Sequence, residues 1–225
     1  MTPARPTVSV VVPVLDDAEH LRVCLALLAA QSRPALEVVV VDNGCVDDSA
    51  VLARAAGARV VHEPRRGVPA AAAAGLDAAV GELLVRCDAD TRMPADWLER
   101  IVARFDADPG LDALTGPGTF HDQPGLRGRA RAALYTGAYR WGAGAAVAAT
   151  PVWGSNCALR AEAWQAVRTR VHRERGDVHD DLDLSFQLAL AGRRIRFDPD
   201  LRVEVAGRIF HSLRQRVRQL SLIHI

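Results

Sequence analysis

Between residues 7 and 90 the chain alternates short β-branched apolar runs with segments of helical spacing, and that alternation leaves few folds open. Residues 7–14 form a nearly unbroken apolar run, the pattern of a strand buried on both faces of a parallel sheet. Pro13 and the acidic pair Asp16-Asp17 end it. Residues 20–31 then place Leu21, Cys24, Leu25 and Leu28 at helical intervals. Residues 36–41 repeat the strand pattern and stop at Asp42-Asn43-Gly44. Asp47, Asp48 and Ser49 read as the cap of a helix through Ala56, with Gly57 as its stop. Residues 58–62 predict a third strand and residues 69–80 an Ala-rich helix. Gly81 precedes the fourth apolar run, Leu83-Leu84-Val85. Four strands separated by three helices predict the α/β class, with a doubly wound, mostly parallel sheet.

Ligands of such sheets bind beyond the carboxyl ends of the strands. Asp16, Asp42 and the pair Asp88-Ala89-Asp90 all fall at such ends. Each has an ordinary explanation when taken alone. Asp42 suits a turn, Asp16 and Asp17 suit a helix N-terminus, and acidic pairs are common in solvated loops. Together they aim carboxylates from three strands at one rim. Two like charges held close repel, and each is costly to desolvate. A divalent cation relieves both costs, and oxygen-only ligands suit Mn²⁺ or Mg²⁺, which in turn bind phosphate oxygens.

The bulk numbers narrow the partners. Charged residues make up 24% of the 225, and the net charge is +1, so no global field argues for nucleic acid. All 28 basic residues are Arg, which reads chiefly as a coding bias. Cys24, Cys45, Cys87 and Cys157 are far apart and form no paired motif, which favours a reducing, cytoplasmic setting over a disulfide framework or zinc site. No signal peptide and no apolar run long enough to span a bilayer is evident; the nearest stretch, 141–152, is short and follows Arg140.

The second half is less regular. Pro94 opens a helix to about Phe105 with Trp97, Ile101 and Phe105 on one core-facing stripe. Residues 111–115 predict a strand followed by a Gly116-Pro117-Gly118 loop, and residues 124–150, rich in Gly, Ala and Arg, stay unplaced. Residues 153–159 read as a loop entering a strand. Residues 180–191 predict a helix ended by Gly192, and 195–197 and 203–205 short strands. Residues 208–220 form a basic amphipathic pattern suited to capping the domain or lying on an anionic membrane surface, the inner face of the membrane included. Residues 221–225 resemble translated sequencing-adapter sequence, which implies a truncated gene.

Five motifs in order resemble glycosyltransferase family 2, the GT-A-fold enzymes that use nucleotide sugars. They are Val10-Val11-Val12-Pro13-Val14-Leu15-Asp16-Asp17, then Val39-Val40-Val41-Asp42-Asn43-Gly44, then Asp88-Ala89-Asp90 continuing through Trp97-Leu98, then Gly154-Ser155-Asn156-Cys157-Ala158-Leu159-Arg160, then Asp180-Asp181-Leu182-Asp183-Leu184. The resemblance spans about residues 7–205 and implies one GT-A domain over 1–225. Residues 7–92 would be its nucleotide-sugar half, 93–207 its acceptor half and 208–225 a tail. It implies that Pro13, Leu15 and Asp16 border the nucleotide base, that Asp42 accepts a hydrogen bond from it, and that Asp88 contacts the ribose side, with Ala89 between. Asp90, with Asp88, would hold the metal; Gly154, Ser155, Asn156 and Asp180 would face the acceptor; Asp181 would be the base of an inverting hexosyl transfer. The implied donor is a nucleoside-diphosphate sugar, UDP-linked by preference, and the implied acceptor a saccharide, lipid-linked or small-molecule hydroxyl. Asp183 reads as structural, and His179 and His211 carry no assignment.

The chain departs from the family in places. Leu15 cannot stack on a base as an aromatic would, and Ala71-Ala72-Ala73 stands where relatives often carry Ala-Arg-Asn, with Arg65 and Arg66 nearby as either replacement cations or a solvated basic turn. Three rival readings stay open. A haloacid-dehalogenase-type phosphatase wants Thr or Val where Arg92 stands. A nucleotidyltransferase wants a Gly-rich loop after the first strand, where Leu15-Asp16-Asp17-Ala18 has none. An inactive relative would bind nucleotide without turnover.

Overall fold

The computed structural model of the chain describes residues 5–175 and 178–207. The first four strands, β1 (Val8–Val14), β2 (Glu37–Asp42), β3 (Arg59–His62) and β4 (Leu83–Arg86), alternate with helices α1 (Ala18–Ala29), α2 (Ser49–Ala55) and α3 (Val68–Ala78). Then come α4 (Trp97–Ala107), β5 (Ala113–Thr115), β6 (Gly118–Phe120) and α5 (Gly125–Ala138), which runs on through a π-turn (Tyr139–Ala143) into α6 (Gly144–Val147). β7 (Cys157–Arg160), α7 (Ala161–Val167), α8 (Asp180–Leu190), β8 (Ile195–Phe197) and β9 (Val203–Val205) complete the order.

Seven strands form one sheet in the order β3-β2-β1-β4-β7-β5-β8, and β6 pairs with β9 in a separate ribbon. β3, β2, β1 and β4 are mutually parallel, so their carboxyl ends lie side by side on one rim. β7 is antiparallel to both β4 and β5, which brings its entry loop to that rim: Cys157 pairs with Arg86.

The alternation of β1 sets two cores. Val8, Val10, Val12 and Val14 pack with Leu21, Leu25, Leu28, Trp97, Ile101 and Phe105 on one face. Val11 joins Val39, Val41, Leu76, Leu84, Leu159, Trp164, Leu184 and Leu188 on the other. The expected stripe of α4 is therefore core. A Cβ on Gly75 would lie 2.3 Å from a Val11 methyl, so α3 rests directly on β1.

Three expectations are corrected. The loop expected at 116–118 leads straight into β6, because its Gly118 pairs with Val203. Of residues 124–150, unplaced from sequence, 125–147 are helical through α5, the π-turn and α6. Ser49 is capped through Asp47, whose Oδ1 accepts the Ser49 N–H at 3.0 Å, and Asp48 makes no side-chain cap bond. The pattern at 208–220, the tail and His211 lie outside the described residues.

Candidate functional site

The turn after β4 is held from within and from across the rim. Thr91, fully buried, accepts the Asp88 N–H on its hydroxyl at 3.0 Å and returns its own N–H to the Asp88 carbonyl at 3.0 Å. The Ser155 hydroxyl donates to Asp88 Oδ2. Asp88 and Asp90 stay half-buried, while Ala89 between them is buried.

Arg86, the last residue of β4, ties this turn to α8. Its guanidinium donates to Asp180 and lies 3.5 Å from Asp88 Oδ1. Its Nε–H has no hydrogen-bond partner among the described residues. Burial opposes the charge, but Asp180, Asp88 and Asp181 outweigh it and hold the group cationic. The chain makes room for it at Gly154, where a Cβ would sit 2.7 Å from the guanidinium.

Asp181 lies one residue further along α8, buried. Its Oδ2 accepts the Gly154 N–H at 3.3 Å and its Oδ1 the Leu182 N–H at 2.9 Å. The Tyr139 hydroxyl lies between this carboxylate and the Val152 carbonyl, 2.8 Å away. Burial and then the charge of Asp180 push the Asp181 pKa up, against the pull of His179, Arg86 and Tyr139. Burial likewise lifts the Tyr135 hydroxyl to about 12. Tyr139 begins the π-turn, a local widening of the helix that often re-aims a side chain at a functional site.

On the other side of the rim, Pro13 is half-buried and Leu15 exposed. Asp16 adopts a positive φ of 51° and accepts the Val46 N–H at 2.7 Å. Asp42 turns one oxygen back on its own loop, accepting from Gly44 N at 3.1 Å and Cys45 N at 2.8 Å. Burial works to raise its pKa, but those donors and the His62 ring outweigh it and leave the carboxyl below its ordinary value. Among the described residues, ligand atoms of Asp16, Cys45 and Asp47 lie within 4.8 Å of one another; Asp88 and Asp90 join no such group of three.

Two expectations change here. Asn156 does not face an acceptor: it is fully buried, accepting from Trp97 Nε1 at 3.0 Å and donating to the Leu201 carbonyl at 2.6 Å. Arg65 and Arg66 are not loose cations. Arg65 forks onto Glu63 and reaches Glu174, and Arg66 donates to the Gly44 carbonyl at 2.9 Å. Asp183 is structural as expected, accepting from both the backbone N–H (2.6 Å) and the ring of His172 (2.9 Å).

Sequence reasoning missed Arg86, Tyr139 and Thr91. Arg86 had a signal: an arginine closing a buried apolar strand needs buried anionic partners. Tyr139 sits in a stretch with no usable period.

A sheet of this order, with a carboxylate-bearing turn after β4 and an antiparallel neighbour, defines the GT-A class of fold. The family model described as glycosyl transferase family 2 matches residues 9–176, and the chain belongs to that family. An uncharacterized glycosyltransferase of Mycobacterium tuberculosis is 41% identical over 113 residues, 50% of this chain and 49% of that protein. Glycosyltransferase AglE of Haloferax volcanii is 32% identical over 124 residues, 52% of this chain and 40% of that one. The chain thus spans about half or less of the curated relatives it matches. Among solved structures, a mannosyltransferase from Pyrobaculum calidifontis in complex with GDP-Man and Mn²⁺ superposes with a TM-score of 0.71 at 25% identity, covering 96% of this chain and 61% of that one. Glucosyl-3-phosphoglycerate synthase from Mycobacterium tuberculosis, with Mn²⁺ and UDP, gives 0.62 at 20% identity over 98% and 81%.

Proposed function

We propose that this chain is a single GT-A domain that moves a sugar from a nucleoside-diphosphate sugar, UDP-linked by preference, to an acceptor hydroxyl with inversion at the anomeric carbon. The observation that carries the reading is Arg86, one buried guanidinium touching both Asp88 and Asp180 and so joining the donor-side turn to the helix that bears Asp181. The bound molecules named for two similar structures, GDP-Man in one and UDP in the other, support the donor class.

Asp88 and Asp90 fit a hard divalent cation. They are half-buried, oxygen-only donors, and two carboxylates leave coordination places for diphosphate oxygens and water. Such an ion, Mn²⁺ or Mg²⁺, would neutralise charge on the departing diphosphate. Pro13, Leu15, Asp16 and Asp42 line the donor side of the rim, and Gly154, Ser155 and Asp180 the acceptor side. Asp181 takes the proton of the attacking hydroxyl as the new C–O bond forms. The old C–O bond breaks with its electron pair on the diphosphate. The raised pKa of Asp181 makes it a better base than an exposed carboxylate. Arg86 pairs with Asp180, and the Tyr139 hydroxyl lies beside the Asp181 carboxylate.

Calorimetric titration of the chain with UDP, GDP and dTDP, with Mn²⁺ or with chelator, tests the donor site. One nucleotide should bind only with the metal, and Asp90→Ala should abolish that binding. If none binds under either condition, the donor assignment fails and a degenerate relative that has lost the donor site is the better account.

A further inference from the structure

Among the described residues, the outward face of α5 and the π-turn leaves large apolar side chains in solvent. Leu126, Leu134 and Trp141 are 83%, 75% and 72% exposed, on a helix whose opposite face buries Ala132 against Phe120 and Val205. At 100° per residue Leu126, Ala130, Ala133, Leu134 and Trp141 fall on one stripe, and Gly128, Ala132, Tyr135 and Tyr139 on the other. Exposed Arg127 and Arg131 flank the apolar stripe on one side and Arg140 on the other. Residues 124–160 contain five arginines and no Asp or Glu, in a chain whose net charge is only +1. A face meant for solvent would mix signs, and a face meant for another copy of itself would set arginine against arginine.

We infer that this face docks on an anionic phospholipid bilayer, with Leu126, Leu134 and Trp141 in the acyl boundary and the arginines among the headgroups. Apolar side chains beside cations with no acid between them match that interface. No described helix is long and apolar enough to cross a membrane, and the one-sided apolar stripe would lay α5 along the surface. It also has a place relative to the chemistry. Tyr135 and Tyr139, on the inward side of the same segment, feel the charge of Asp181, so the bilayer would lie across one helix from the acceptor side.

The test is co-sedimentation of the full chain with phosphatidylcholine vesicles, with and without phosphatidylglycerol. The wild type should pellet only with the anionic vesicles. Leu126→Ser/Leu134→Ser/Trp141→Ser should lower the partition constant at least about tenfold. Arg127→Glu/Arg131→Glu should lower it about fivefold per arginine lost. All five positions are exposed, and residues 208–225 are present throughout, so a difference reports α5 alone. The wild type supplies a second readout. Trp97 and Trp164 are fully buried and Trp153 is half-buried, so brominated lipid should quench chiefly Trp141. Equal pelleting of wild type and both variants, no pelleting of the wild type, or unquenched Trp141 overturns the inference. So does wild-type self-association abolished by the serine variant without any vesicle binding, which would make a second copy the occupant.

Discussion

Asp181 carries a cost that its position on α8 does not require. A residue at the start of a helix is a natural place for a carboxylate, and in solvent the helix dipole would favour its charge. Here the side chain is buried with Asp180 beside it, and those two effects hold its pKa above the ordinary 3.8 despite His179, Arg86 and Tyr139. A group whose pKa rises on folding contributes stability below its unfolded value and loses it as pH rises through the folded one. At neutral pH Asp181 therefore works against the fold. Asp181→Asn should unfold at a higher urea midpoint than the wild type at pH 7, and the gap should close toward pH 4 and below. Under the proposed mechanism, the same variant loses about 10²–10⁴ of the transfer rate. A lower midpoint at pH 7 would show that the carboxylate serves the fold instead.

At the scale of elements, what positions the rim is a set of side chains that bind backbone. Asn43, just past β2, is the clearest. Its amide donates to the carbonyls of Glu63 (2.9 Å) and Arg65 (2.7 Å), and its Oδ1 accepts the Gly67 N–H at 2.7 Å. One buried side chain thus fixes the path from β3 into α3. Asn43→Ala strands these groups at about 1–3 kcal/mol for a buried polar group left unmade. The urea midpoint should fall accordingly, and nucleotide affinity should fall with it if the 63–67 loop borders the donor. An unchanged midpoint would mean that water replaces the amide. The alternation of β-branched runs with helical spacing made the parallel core legible, because burial on both faces leaves a continuous apolar signal. β6 was not legible. Its Gly118-Thr119-Phe120 has no period, and it is a strand only because β9, 85 residues on, supplies the partner for Gly118. The carboxylates of the candidate site were visible as residue types at strand ends. Arg86 was not read as one of them, because its meaning depends on Gly154 and Asp180, which only the folded chain brings together.

For the molecule as a whole, acid is the weak direction. Glu37, Asp42, Asp47, Glu63 and Asp198 all have pKa values below their ordinary 4.5 or 3.8. In Glu63 the Arg65 fork is the leading cause; in the other four, burial pushes upward and hydrogen-bond donors win. A depressed pKa contributes stability that is present above the unfolded value and lost as pH falls through the folded one. Stability from this group should therefore be flat near neutrality and decline from about 4.5 downward. Asp198 is the partner that joins distant parts. Buried after β8, it accepts from Arg104 Nε of α4 at 2.5 Å and from Asp200 N at 3.0 Å, and its own N–H reaches Thr115 on β5 at 2.8 Å. Asp198→Asn keeps the volume, removes the charge and leaves Arg104 without its anion. Urea midpoints measured from pH 7 to pH 3 should be lower for this variant at the neutral end and converge with the wild type in acid, where the wild-type carboxyl also takes a proton. Parallel curves at every pH would assign the loss to packing instead of charge. No Asp or Glu falls between residues 124 and 160, so this acid response belongs to the sheet and its rim, and the α5 face should keep its charge through the same titration.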